Sequence, residues 1–218
     1  MPIYRAFLIL LLAFSSLLNA IAAHEQEKFS RAEQHIKWGA IGGINLSKVD
    51  GDGHLGYHAL GGIAGLWGIY AFSRSNWNLR LELRYAGKGS RYTEKIQGNE
   101  TREFTSYSFT LHYIELPICV EYVFLERFSV GIGLECGYLI SWKERNAFGA
   151  LDKSFRLAPK RYEIAAIAAL EWRFLPRWAA RGGFSYSVLP IRGTPDDILG
   201  QRHGQYNNTL HLILQFEF

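Results

Sequence analysis

The sequence predicts an all-β chain: an eight-stranded antiparallel up-and-down transmembrane β-barrel with short periplasmic turns and long external loops. Three observations point there. From residue 36 onward, eight stretches alternate apolar and polar residues with a period of two, the spacing of strands whose two faces meet different surroundings. The connections between them alternate long and short without exception, as in an even-stranded outer-membrane barrel. Aromatic residues gather at the strand ends, where two bilayer interfaces select them.

Residues 1–22 read as a signal peptide. Arg5 precedes an apolar run over residues 6–18, and Ala20-Ile21-Ala22 fits an A-x-A cleavage site, with cleavage after Ala20 or Ala23 also open. The alternative is an N-terminal membrane anchor, but the run is shorter than the ~20 apolar residues a spanning helix needs. Residues 23–35, including "HEQEKFSRAEQH", read as a periplasmic linker, and residues 36–218 as the barrel. Aromatic content of 15%, 22 glycines and 6 prolines suit many short strands. The net charge of +4 includes no continuous basic stripe, so nucleic acid is excluded as a partner.

The strands are expected at 36–46, 57–72, 77–88, 109–124, 128–142, 160–174, 178–189 and 205–218. The first starts near Trp38. In the second, Gly61, Gly62, Gly65 and Gly68 blur the two faces. The third alternates Leu79, Leu81, Leu83 and Tyr85 with Arg80, Glu82 and Arg84; the fourth sets Ile114, Leu116, Ile118 and Val120 against a face with Glu115 and Glu121. The fifth sets Val130, Ile132, Leu134, Tyr138, Ile140 and Trp142 against a face with Glu135 and Ser141. The sixth opposes Leu170 and Trp172 to Arg161, Glu163, Glu171 and Arg173, and the seventh opposes Phe184 and Tyr186 to Arg181 and Ser185. In the eighth, Leu210, Leu212, Leu214, Phe216 and Phe218 alternate with His211, Gln215 and Glu217.

Short links fall at 73–76, 125–127 and 175–177, and long ones at 47–56, 89–108, 143–159 and 190–204. Hairpin turns therefore lie at one end, with both ends of the barrel segment on the periplasmic side. An aromatic girdle of Trp38, Trp77, Trp178 and Phe218, with Phe72, Phe124, Phe128 and Phe174, is expected at that end; Tyr85, Trp142 and Tyr186 mark the other. A soluble lipocalin-like barrel shares the period but turns its apolar series inward around a ligand. The two girdles favour lipid against the apolar face.

The stretches "WGAIGGINLSKVDGD", "LRLELRYAGKGSR", "HYIELPICVEY" and "FSVGIGLECGYLI" resemble the PorT-like outer-membrane β-barrel family of Gram-negative bacteria, over essentially all of residues 36–218. The resemblance implies the fold and the outer membrane as location. It also implies a scaffold with many paralogues, some serving protein secretion and gliding-type export. Phe218 looks like the C-terminal aromatic signal read by the barrel-assembly machinery, a reading compatible with its being a girdle residue. Pro117 removes a ladder donor in mid-strand, as the family pattern also does, and reads as a bulge or a gap in pairing.

An eight-stranded barrel has room inside only for its own side chains. The expected inward set is Arg80, Glu82, Arg84, Lys88, Glu115, Glu121, Glu135, Arg161, Glu163, Glu171, Arg173, Arg181 and Glu217. Both signs occur, so a mutually neutralising plug is the favoured reading over a proton or ion path. Taking 175–177 as the loop pairs Phe174 with Trp178 and Glu171 with Arg181, a favourable cross-strand ion pair. Taking 125–127 as the loop puts Cys119 inward opposite Gly133 and Cys136 outward opposite Leu116, so no disulfide is expected.

Catalytic signals are weak. His54, His58, His112 and His203 lie toward the external side without triad spacing, and "VDGDG" lacks the remaining ligands of a calcium loop. No catalytic residue, cofactor or metal is expected, and no enzyme. The third long loop is basic through Lys143, Arg145, Lys153, Arg156, Lys160 and Arg161, which suits either lipopolysaccharide phosphates or plain solubility. The expected role is structural or interactive in the outer membrane, with lipid as neighbour, lipopolysaccharide as a possible contact and an accessory part in secretion implied by the resemblance. The alternatives are a small pore, a lipid A-modifying enzyme, and the soluble ligand-binding barrel.

Overall fold

The computed structural model describes residues 36–52, 56–73, 75–97, 102–125, 127–146, 149–150, 158–193 and 204–218. The expected signal peptide and linker lie outside the described residues. The strands are β1 (Ile36–Asp50), β2 (Ala59–Ala71), β3 (Trp77–Gln97), β4 (Arg102–Phe124), β5 (Phe128–Asn146), β6 (Gly149–Ala150), β7 (Tyr162–Leu175), β8 (Trp178–Ser187) and β9 (Tyr206–Glu217). Eight are long; β6 only extends a hairpin against Arg145 and Asn146. Each pairs antiparallel with its neighbours in the order β4-β3-β2-β1-β9-β8-β7-β5, and β4 pairs with β5 to close the barrel. Closure lets the strands satisfy one another's backbone groups where no water can.

The tight turns fix the register. Phe124 pairs with Phe128, which places Cys119 opposite Gly133 and Cys136 opposite Leu116. Both cysteines are free, the first buried and the second exposed. Glu171 pairs with Arg181, but Leu175 rather than Phe174 pairs with Trp178. Phe174 is bulged out, so the turn tightens to Pro176 and Arg177.

Three departures from the expected layout have physical causes. First, the expected loop at 89–108 is mostly strand: pairing continues from Arg91↔Ser108 to Gln97↔Arg102, so β3 and β4 form a hairpin projecting past the barrel. Second, His112 pairs with Ser141 while Tyr113 pairs with Leu139. The unpartnered Ile140 is a β-bulge, which reverses the side on which every following residue falls. Trp142, expected in the outward girdle, therefore turns inward and packs edge-on against Phe109, ring centroids 6.3 Å apart. Third, the β3–β4 ladder is interrupted between Leu81↔Ile118 and Arg84↔Glu115. The gap falls opposite Pro117, whose missing N–H thus faces β3, while pairing with β5 runs unbroken through Pro117↔Glu135.

The glycines of β2 let β3 lean over it. A Cβ on Gly61 would sit 2.1 Å from the Gly87 carbonyl oxygen. The β2–β3 ladder stops at Ile63↔Ala86, and β1 reaches across: the Asn45 amide donates to the Gly87 carbonyl at 3.1 Å. Ser47 Oγ donates to the Gly89 carbonyl at 3.0 Å and accepts from the Gly89 N–H at 2.9 Å.

Candidate functional site: a filled lumen

Period-two alternation sends one face of each strand into the lumen. Arg80, Glu82, Arg84 and Lys88 project from β3, Glu115 and Glu121 from β4, Glu135 from β5, Glu163 and Glu171 from β7, and Arg181 from β8; all are buried. Arg80 Nε donates to Glu82 at 2.6 Å and Nη1 to Glu171 at 3.0 Å, with Nη2 on Gln215. Arg84 spans three carboxylates: Nε to Glu115 at 2.9 Å, Nη1 to Glu82 at 3.1 Å and Nη2 to Glu135 at 2.5 Å. Lys88 Nζ lies 2.7 Å from both Glu115 and Glu135 and 3.6 Å from Glu163. Arg181 donates to Glu121 and stands 3.5 Å from Glu171. Neutral side chains complete the shell: Gln215 donates to Glu171 at 2.9 Å, Ser187 to Glu163 at 2.5 Å and Asn207 to Glu163 at 2.9 Å.

The remaining expected members sit elsewhere. Arg173 and Glu217 pair at 2.5 Å at the short-turn rim, partly exposed, with Lys37 3.3 Å from Glu217. Arg161 is a correction: it lies just before β7 and is exposed, and its Nη1 donates to the Leu139 carbonyl at 3.4 Å. The strand starts one residue too late to hold it in the lumen.

Toward the external end the lumen turns apolar. Val49, Phe109, Leu111, Tyr113, Leu139 and Ile191 form one buried cluster with Tyr107 and Trp142 against it. The chain at Ile191 and Arg192 folds into this mouth, held by Ile191 N–H to the Gln205 carbonyl at 2.8 Å and Gln205 N–H to the Arg192 carbonyl at 2.9 Å. The Arg192 guanidinium lies 4.3 Å from the Phe109 ring centre and 3.0 Å from Glu144, a cation held by an aromatic face and a carboxylate together. Tyr107 donates to Glu144 at 2.7 Å. The sequence reading missed Glu144 because the bulge hides its parity, and Arg192 because a loop has no periodicity. Buried His211 and Gln215 were legible, since they share the parity of Glu217 on β9.

Outside, the pattern is complementary. Leu60, Ile132 and Leu212 are among the most exposed side chains, at 70%, 68% and 58%. Around the short-turn rim Trp38 packs at a tilt against Phe218 at 4.8 Å, Trp77 edge-on against Tyr122 at 5.0 Å and Trp178 at a tilt against Phe216 at 4.9 Å. Nearer the external side lie Tyr138 with Tyr162 at 5.4 Å, and Tyr85 over His112, the Tyr85 hydroxyl 2.6 Å from His112 Nδ1. At that level β4 inverts its polarity. Below it Glu115 points in and Ile114 out; above it Phe109 and Leu111 are buried while Ser108 and Thr110 lie on the outer face. The acidic stretch at 49–53 shows Asp50 engaged by Lys48 at 2.7 Å and by the Asn208 amide at 2.9 Å; His54 and His203 lie outside the described residues. Among the described residues no His, Cys, Asp and Glu cluster suits a metal ion.

A closed barrel with apolar strands outside, aromatic belts at two levels and a polar, filled interior is a β-barrel of the outer-membrane type. The chain belongs to the outer membrane protein beta-barrel domain family, whose model matches residues 25–192. No curated protein matches the sequence. Among solved structures, the attachment invasion locus protein Ail of Yersinia pestis, in complex with the heparin analogue sucrose octasulfate, is 15% identical with a TM-score of 0.46, covering 85% of this chain and 100% of that one. Neisserial surface protein A is 12% identical at a TM-score of 0.46, covering 86% and 100%. OprG of Pseudomonas aeruginosa is 12% identical at 0.37, covering 84% and 94%.

Proposed function

We propose that this protein is a closed, non-conducting barrel of the outer membrane with a structural or interaction role, exported by its N-terminal signal peptide and making its contacts through its external face. The observation that supports this reading is the lumen network, in which Arg80, Arg84, Lys88 and Arg181 are each shared among several buried carboxylates. Such groups are fixed by many simultaneous ion pairs in a medium that strengthens each, so opening a water path would break several together. The apolar cluster capped by Arg192 adds a second obstruction above it. The accessory role in secretion that the PorT-like resemblance implies is one form of such an interaction. In this reading the protein is not an enzyme, and replacing His112 leaves outer-leaflet lipid masses unchanged.

The test is conductance in planar bilayers, with folding of the inserted protein verified by a gel shift that appears only on boiling. No current steps are expected. Regular ohmic steps from the folded wild-type protein would overturn the reading in favour of a small pore.

A further inference from the structure

Inside the barrel, cations are tied to carboxylates. On one arc of the external surface, among the described residues, they are not. Arg91 on β3 pairs with Ser108 on β4, and Ser108 pairs with Arg145 on β5. Residues in direct register share a face, and strands lie ~4.8 Å apart, so the two guanidinium stems leave the same face about 10 Å apart. Lys143, two residues below Arg145, pairs with Thr110. Arg91, Lys143 and Arg145 are exposed, and among the described residues no carboxylate lies within ion-pair distance of any of them. Arg161, displaced from the lumen, adds a fourth exposed cation at the β5–β7 seam. On the opposite arc Lys48 is neutralised by Asp50 at 2.7 Å.

The height of this arc matters as much as its charge. It begins above Tyr85, His112 and Tyr138, the level at which β4 exchanges an apolar outer face for a polar one. Where a barrel's outer surface stops being apolar, lipid headgroups begin. Cations spread over about 10 Å, with the Ser108 and Thr110 hydroxyls between them, suit an anion with several charged oxygens better than a single carboxylate.

We propose that Arg91, Lys143 and Arg145 form a docking surface for a polyphosphorylated lipid headgroup of the outer leaflet. The three cations contact its phosphates while the apolar strands below take its acyl chains. This deepens the interaction role proposed above and rests on it, by naming the chemistry of one contact.

The experiment is native mass spectrometry of the full chain in detergent, titrated with diphosphorylated lipid A and, separately, with the same lipid stripped of phosphate. Three proteins are compared: wild type, Arg91→Gln/Lys143→Gln/Arg145→Gln, and Lys37→Gln/Arg127→Gln/Arg177→Gln, which removes equal charge at the opposite rim. Wild type and the opposite-rim variant should retain the phosphorylated lipid, and the first variant should retain it roughly tenfold less or worse. Stripped lipid should bind poorly to all three. Equal retention by all three proteins, equal retention of both lipids, or displacement by inorganic phosphate at matched concentration would overturn the proposal. The boiling-dependent gel shift shows that each variant is folded. Conductance reports separately on the closed barrel: a protein that conducts yet loses lipid on losing these cations refutes only the former, and a silent protein indifferent to them refutes only the latter.

Discussion

Arg84 is the point at which the lumen network is most easily tested. Its guanidinium serves Glu82, Glu115 and Glu135 at 3.1, 2.9 and 2.5 Å. Below the apolar cluster the network holds six carboxylates (Glu82, Glu115, Glu121, Glu135, Glu163, Glu171) against four cations (Arg80, Arg84, Lys88, Arg181), Glu144 and Arg192 pairing separately above, so negative charge is already in excess. Arg84→Met keeps most of the volume and removes a cation from the side that is short of them. Breaking a buried pair in this way costs about 3–5 kcal/mol. Glu115→Gln is nearly isosteric and removes one of the surplus charges; it should cost under ~1.5 kcal/mol, the scale of a hydrogen bond made less well. The assay is urea titration of the boiling-dependent gel shift in detergent. With a slope near 2 kcal/mol/M, Arg84→Met lowers the midpoint by ~1.5–2.5 M and Glu115→Gln by less than ~0.8 M. The double variant should recover part of the Arg84→Met loss, because it relieves the carboxylate left unpaired. Equal shifts for the two single variants, or a larger one for Glu115→Gln, would refute the claim that charge balance holds the lumen together.

Other parts of the structure make equally definite demands. Brominated lipids should quench Trp38, Trp77, Trp172 and Trp178, which are exposed, so Trp142→Phe should leave the quenched intensity unchanged and raise the quenched fraction of emission; a loss of quenched intensity on that substitution would put Trp142 outside and remove the Ile140 bulge. Mild oxidation of the folded protein should give no intramolecular cross-link, read as unchanged mobility on a non-reducing gel, because Cys119 faces the lumen and Cys136 the lipid. Ser47→Ala removes both of its hydrogen bonds to Gly89 and should lower stability by ~1–3 kcal/mol, read as a lower urea midpoint; no change would mean that Ser47 does not support β3 where β2 stops pairing.

How much of this was legible follows from what period-two alternation encodes. It reports the contrast between a strand's two faces, so the eight long strands and the registers set by Phe124↔Phe128 and Glu171↔Arg181 could be read from spacing alone. The lumen charges could be read for the same reason, since a charge within an apolar alternation must take the other face. Parity is also where the reading broke. One extra residue at Ile140 reversed Trp142 and concealed Glu144, and no residue type there announces a bulge. Arg161 was placed by extending parity one residue beyond the strand. Arg192 enters the lumen from a loop, where side-chain direction depends on backbone pairing with Gln205, which sequence spacing does not contain.

The polarity inversion separates the two barrel classes that sequence left in competition. A soluble barrel is apolar inside and polar outside along its whole length, whereas a membrane barrel is the reverse where lipid touches it. β4 is both in turn. From Phe124 to Ile114 its outer face is apolar and its inner face carries Glu121 and Glu115; from Tyr113 to Phe109 the inner face is apolar and His112, Thr110 and Ser108 lie outside. The expected strand passes that reversal and ends at Phe109, whereas the pairing continues to Arg102. From Tyr113 to Phe109 the alternation continues with its sign changed, because the solvent changes there. Strand pairing above the reversal needs no lipid, and the apolar cluster of Val49, Phe109, Leu111 and Leu139 supplies there what the ion network supplies below. The external end is thus a water-facing continuation of the same strands, and side chains of the described residues occupy both halves of the barrel axis.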